Sequence, residues 1–213
     1  MKLKDFYLIF GTICWLISLV SILFKYPKHL RLFSWFIFVS VAIEWIGWYI
    51  ARHLHRNNLW LYNFNIIIEF LFLPFFYRLI LRSHKIRQGI KLFLIIYPII
   101  FFINLFFIQG LYVFNTYPYL IGDIFVLVLI INYFKEILLT PNNIKLHREP
   151  VFYISIAFLL FFTIEIPYTM LLPYFINHNL EVAMALIWVI KILNAVLYVL
   201  LSVAYLCQPR MRT

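Results

Sequence analysis

Eight acidic residues stand in a chain of 213, and four of them, Glu44, Glu69, Asp123 and Glu165, fall inside long apolar runs. A charge placed mid-membrane costs about 2.5–3.5 kcal/mol on insertion scales, so acids in such places call for a partner or a task. Their neighbours are polar at helical spacing. Tyr62, Asn65 and Glu69 are three and four apart, Tyr119 and Asp123 are four apart, and Glu165 is followed by Tyr168 and Thr169 at i+3 and i+4. On a helix those intervals put side chains on one face. Lys191 begins a further stripe through Asn194, Tyr198, Ser202 and Tyr205, and Asn104 sits alone in another apolar run. Glu44, Asn65, Glu69, Asn104, Asp123, Glu165, Tyr168, Lys191 and Asn194 are therefore expected to line one polar chamber in the outer half of the membrane. Its chemistry would be the binding of a small ligand, an ion or protons. With four such acids and one lysine, at least one carboxyl is expected to be neutral at pH 7. The structural alternative is that these groups serve as hydrogen-bond partners between helices.

The elements that must position these residues follow from composition. Hydrophobic residues make up 65% of the chain and charged residues 12%, against about half and a quarter in soluble domains. A chain this size cannot hide that excess in one soluble core. Apolar runs fall near 6–24, 32–51, 60–81, 92–108, 117–138, 151–174 and 183–206, divided by charged or turn-forming clusters such as Lys25-Tyr26-Pro27-Lys28 and Pro141-Asn142-Asn143. Each is long enough for a membrane helix of about 20 residues, and none shows the alternation of a barrel strand. The expected fold is all-α: a polytopic membrane protein, a seven-transmembrane-helix bundle forming a single integral membrane domain. The first run lacks a small-residue cleavage site and reads as a retained span rather than a signal peptide.

Orientation follows from the basic residues. With the N-terminus outside, thirteen lysines and arginines fall on the inner side and four on the outer, with Lys191 inside a span. The positive-inside rule then gives an outside N-terminus and an inside C-terminus. The formal charge of +10 belongs to these flanks, which suit anionic lipids at the inner face rather than nucleic acid. The expected location is the cell membrane, a bacterial inner membrane, crossed several times.

Several chemistries are absent. There is no Gly-x-Ser-x-Gly, His-Glu-x-x-His or phosphate-binding glycine loop, and no histidine lies within a span. His53, His55 and His178 give only a weak zinc pattern. Cys14 and Cys207 read as packing thiols. No catalytic residue, metal site or cofactor is expected. In span seven, Ile187 stands four residues before Lys191 where a retinal protein would carry an acid.

Leu61-Tyr62-Asn63 leading into Ile68-Glu69-Phe70-Leu71-Phe72 is one of a series of pieces. Ile103-Asn104-Leu105-Phe106-Phe107-Ile108-Gln109-Gly110, Arg148-Glu149-Pro150-Val151-Phe152-Tyr153-Ile154-Ser155, Asn194-Ala195-Val196-Leu197-Tyr198 and Ala204-Tyr205-Leu206-Cys207 follow. In this order they resemble a family of small seven-span membrane proteins found mostly in Bacteroidetes. The resemblance covers span two to the end and implies the seven-span count, but no activity and no site residue. The expected function is a sensor-like or receptor-like module whose short loops oblige it to signal through a partner. The alternatives are a small-molecule or ion transporter or channel, and an intramembrane lipid-modifying enzyme.

Overall fold

A computed structural model describes residues 5–139 and 146–207, and among these every regular element is helical. The helices are α1 (Phe6–Ser18), α2 (Val20–Leu23), α3 (Lys28–His53), α4 (Leu59–Ile80), α5 (His84–Ile103), α6 (Thr116–Leu139), α7 (Pro150–His178) and α8 (Leu180–Leu206). A π-helical turn, Asn104–Ile108, continues α5, and a 3-10 turn, Leu146–Arg148, precedes α7. Among the described residues, six helical segments are long and apolar enough to cross a membrane: Phe6–Leu23, Lys28–His53, Leu59–Ile80, His84–Ile108, Pro150–His178 and Leu180–Leu206. The protein is thus a multi-pass helical membrane protein. The remaining long helix, α6, carries Asp123, Lys135 and Glu136. Lys2, Lys4, the Pro141-Asn142-Asn143 turn, Lys145, Arg210 and Arg212 lie outside the described residues.

Helix ends differ from the apolar runs where polar groups support them. The first run breaks at Leu19. There the Ser18 hydroxyl donates to the Trp15 carbonyl at 2.7 Å, a local bond that competes with the helical ladder. α5 begins eight residues before its apolar run, with Lys85, Arg87 and Lys91 on its first turns. Just ahead of it, the Glu136 carboxylate accepts from the backbone N–H of Arg82 (2.9 Å) and Ser83 (3.0 Å). A negative group at a helix N-terminus is favourable, so the helix extends through residues that hydropathy alone would leave in a loop. α7 runs through Pro167 and Pro173.

The chain groups into two compact units, one of residues up to Val41 together with those from Asn142 on, the other Ala42–Pro141. α3 contributes its first half to the one and its second half to the other. In the first unit, α8 packs on α7 and α1. Gly11 allows the approach of α1, since a Cβ there would lie 3.1 Å from the Tyr198 ring and 3.2 Å from Val41. The Tyr205 hydroxyl donates to the Leu30 carbonyl at 2.9 Å, and the buried Ser18 and Ser34 hydroxyls meet at 2.7 Å.

The second unit is built on α4, which packs against α5 and α6. Its interior is aromatic. Phe70 is fully buried and meets the rings of Tyr97 and Tyr119 edge to face, with centroids 5.9 and 5.4 Å away. Gly122 of α6 lies directly against the Phe70 ring. Phe93 and Phe125 stack with centroids 3.7 Å apart. Outward faces carry Ile95, Ile99, Phe106, Phe107, Ile124 and Ile131, all exposed, as lipid contact requires.

Candidate functional site

The expected site residues fall into two sets. Glu44, Asn65, Glu69, Asn104 and Asp123 belong to the second unit, and Glu165, Tyr168, Lys191 and Asn194 to the first.

In the second unit the loops 54–58 and 109–115 lie at one end, joined by the Asn57 side-chain amide donating to the Tyr112 carbonyl at 3.1 Å. Counting along the helices from that end, Asp123 is seven residues past the start of α6, Glu69 ten past the start of α4, and Glu44 nine before the end of α3. At 1.5 Å per residue the three carboxyls share a layer about 10–15 Å deep. Glu69 lies within electrostatic reach of both Glu44 and Asp123, and Tyr97 within reach of both Glu69 and Asp123. The Tyr97 hydroxyl itself donates to the Pro118 carbonyl at 3.2 Å.

Asp123 is the extreme member of this layer. Its exposure is 0%, and neither carboxylate oxygen has a hydrogen-bond partner among the described residues. α4 and α6 approach closely at Gly122 and Phe70, which stand next to Asp123 and Glu69 in the chain. An ionised carboxylate without partners in an apolar interior is very costly. The Asn65 Oδ1, one helical turn before Glu69, is likewise buried and without a partner among the described residues.

Three asparagines hold the end of the unit above this layer. Asn63 is 1% exposed. Its amide donates to the carbonyls of Leu111 (2.9 Å) and Val113 (2.8 Å), and its oxygen accepts from the Asn115 N–H (3.0 Å). Asn104, the first residue of the π-helical turn, donates to the Gln109 side chain at 2.8 Å and to the Asn115 Oδ1. Asn115 in turn donates to the Gly110 and Val113 carbonyls, both at 3.3 Å. Asn104 therefore has a structural duty for its N–H₂ group, while its Oδ1 is buried with no partner among the described residues. Asn63 and Asn115 were not among the expected site residues. Their signal in the sequence is only that each stands within five residues of the end of an apolar run, which does not distinguish a loop clamp from a solvated amide.

In the first unit Glu165 is 8% exposed. Tyr168, one turn on and half-buried, lies within its electrostatic reach. The Lys191 ammonium sits 5.9 Å from the centre of the Tyr7 ring and 5.7 Å from that of Trp188. Cation–π attraction to two rings suits an ammonium partly removed from water. The Asn194 amide donates to the Ile190 carbonyl one turn earlier at 3.0 Å. Among the described residues, no three His, Cys, Asp or Glu side chains converge to hold a metal ion. No protein-family model, curated protein or solved structure matches the chain.

Proposed function

We propose that the protein is a proton-responsive membrane module of the sensor or receptor type, with seven spans, an outside N-terminus and an inside C-terminus, that signals through a partner. The single observation that carries this reading is Asp123, wholly buried, with neither carboxylate oxygen partnered among the described residues and with Glu69 close by. The acid is neutral in the resting fold. Loss of its proton leaves an anion facing Glu69 and Tyr97, with Glu44 beyond Glu69, and none of these is positive. The layer hangs from α4 and α6, whose outer ends are tied by Asn63 to loop 109–115, so a change in charge at Asp123 is felt at that loop. Toward the other end of the second unit, the Asn132 side chain is committed locally, donating to the Val128 carbonyl at 2.7 Å. That favours sensing over transport, which calls for polar groups open on both sides.

Amide hydrogen exchange in loop 109–115, corrected for the intrinsic effect of pH, tests the reading. Protection is expected to fall as pH rises and Asp123 ionises, and Asp123→Asn, which mimics the neutral acid, is expected to flatten the response. An unchanged pH response in that variant overturns the proposal.

The orientation has its own test in a native thiol. Cys14 is fully buried, whereas Cys207 at the end of α8 is part-exposed. Burial pushes the Cys207 thiol above its ordinary range, and a hydrogen bond from Tyr153 offsets part of that. Because the thiolate is the reactive form, alkylation is expected to accelerate with pH beyond the point where an ordinary thiol levels off. A membrane-impermeant maleimide is expected to label Cys207 in inside-out vesicles alone; labelling in right-side-out vesicles contradicts the C-inside orientation.

A further inference from the structure

α5 carries basic side chains at the end where its dipole disfavours them. The N-terminus of a helix bears partial positive charge and favours acids, yet the first turn of α5 holds no acid. Lys85, Arg87 and Lys91 stand at its second, fourth and eighth positions. Arg87 and Lys91 are four apart, the spacing at which like charges on a helix repel. Between Glu69 and Asp123 the chain has no acidic residue. Glu136 brings one carboxylate to this end, where it accepts from the N–H groups of Arg82 and Ser83, and its neighbour Lys135 offsets that charge. Arg78, in the last turn of α4, has a buried Nε with no hydrogen-bond partner among the described residues. Positive charge at this end of the second unit thus outweighs what these residues neutralise, and an anion from outside the chain suits it.

The outward face of α5 narrows the kind of anion. Lys85, Arg87, Gln88 and Lys91 are exposed, whereas Ile90 and Tyr97 on the opposite face are fully buried. At helical intervals of three and four, Gln88 and Lys91 are followed by Leu92, Ile95, Ile99 and Phe102, all exposed. One stripe therefore begins basic and continues apolar. At 1.5 Å per residue, Lys85 to Lys91 spans about 9 Å along the axis and Lys91 to Ile99 about 12 Å. The first length is that of a headgroup layer, and the second lies within the hydrocarbon. An occupant that matches the whole stripe is an amphiphile, anionic at one end and apolar beyond. A free phosphate ion or an acidic peptide matches the basic part alone.

We infer that the outward face of α5 is a docking site for an anionic phospholipid, whose headgroup meets Lys85, Arg87 and Lys91 and whose acyl chain lies along Leu92, Ile95 and Ile99. The headgroup offsets the like charges at the start of the helix, so the first two turns of α5 are firmer in an anionic bilayer than in a neutral one. The site differs from the general attraction of basic flanks to an anionic surface in belonging to one helix face. It is independent of the proton at Asp123.

Hydrogen exchange at the amides of residues 84–91 tests the site, in the full chain held in phosphatidylcholine nanodiscs with and without phosphatidylglycerol. Phosphatidylglycerol is expected to slow exchange there by about tenfold, the effect of one or two such charges engaging lipid. The slowing is expected to vanish when Lys85→Gln, Arg87→Gln and Lys91→Gln are combined. In phosphatidylcholine alone the same triple variant, after correction for intrinsic rates, is expected to exchange more slowly than the parent in this segment, because repulsion at the helix start is relieved. Loss of the lipid effect is thereby distinguished from loss of the fold, and faster exchange than the parent contradicts the account of the helix start. A second triple variant, Lys25→Gln, Lys28→Gln and Arg31→Gln, removes as many charges from exposed positions at the start of α3 and is expected to keep the slowing in full. Equal exchange of the parent in the two lipids overturns the inference, and so does equal loss of the slowing in the two triple variants, which is the mark of general surface attraction. Comparable slowing of the parent in phosphatidylcholine by inorganic phosphate or by a polyglutamate peptide overturns it too, since the face would then take a soluble anion or a protein partner.

Discussion

Gly122→Ala is expected to destabilise the second unit by about 1–3 kcal/mol, the usual cost of forcing extra atoms into a packed interior. The added Cβ would land inside the Phe70 ring. The ring cannot step aside, because it is fully buried and is held edge to face by Tyr97 and Tyr119. Either α6 moves outward or Phe70 leaves its rotamer, and both open the layer in which Asp123 and Glu69 meet. Denaturation of the variant in mixed micelles measures the cost. Phe70→Leu in the same chain is expected to recover part of it, since the smaller side chain makes room for the methyl group. A Gly122→Ala protein as stable as the parent would show that α4 and α6 do not approach each other as described.

Asn63→Ala is expected to cost about 2 kcal/mol. Three hydrogen bonds are lost, to the Leu111 and Val113 carbonyls and from the Asn115 N–H. Side-chain bonds between membrane helices average about 0.6 kcal/mol each, and the stranded Asn115 N–H, in a residue with no exposure, adds to that sum. The loss concentrates at one loop, so limited proteolysis between residues 109 and 115 should quicken well before global unfolding changes. Asn63→Asp keeps the acceptor for Asn115 but removes both donors, and is expected to quicken cleavage as well. Unchanged proteolysis in both variants would mean that the loop is held by something other than Asn63.

The helices were legible in the sequence because a membrane asks so little of it. Long apolar runs bounded by charge have few alternatives to a helix; among the described residues each run that was read is helical, and six of the helical segments are long and apolar enough to cross a membrane. Their ends were less legible. Nothing in the composition of residues 84–91 announces that Glu136, about fifty positions away, supports a helix there through the N–H groups of Arg82 and Ser83. The acids stood out because each breaks an apolar run, and helical spacing tied Asn65 to Glu69. What spacing on one helix cannot show is which helices meet. A single chamber of nine residues was expected; five of the nine belong to one compact unit and four to the other. Asn194 was placed in the chamber by its position in a stripe, and one amide bond one turn back along its own helix is a contact the stripe does not announce. The same limit hid Asn63 and Asn115, whose importance lies in the loop carbonyls they reach rather than in any pattern along the chain.

Infrared difference spectroscopy of the protein in lipid, between acidic and alkaline pH, tests the central claim most directly. A neutral carboxylic acid absorbs as a C=O stretch well separated from carboxylate bands, and the stretch shifts in deuterium oxide. The expected result is such a band at neutral pH that loses intensity in Asp123→Asn while the far-ultraviolet helix signal is retained. A neutral-pH spectrum with carboxylate bands alone, or a C=O band left intact in the folded Asp123→Asn protein, would contradict a buried proton at Asp123.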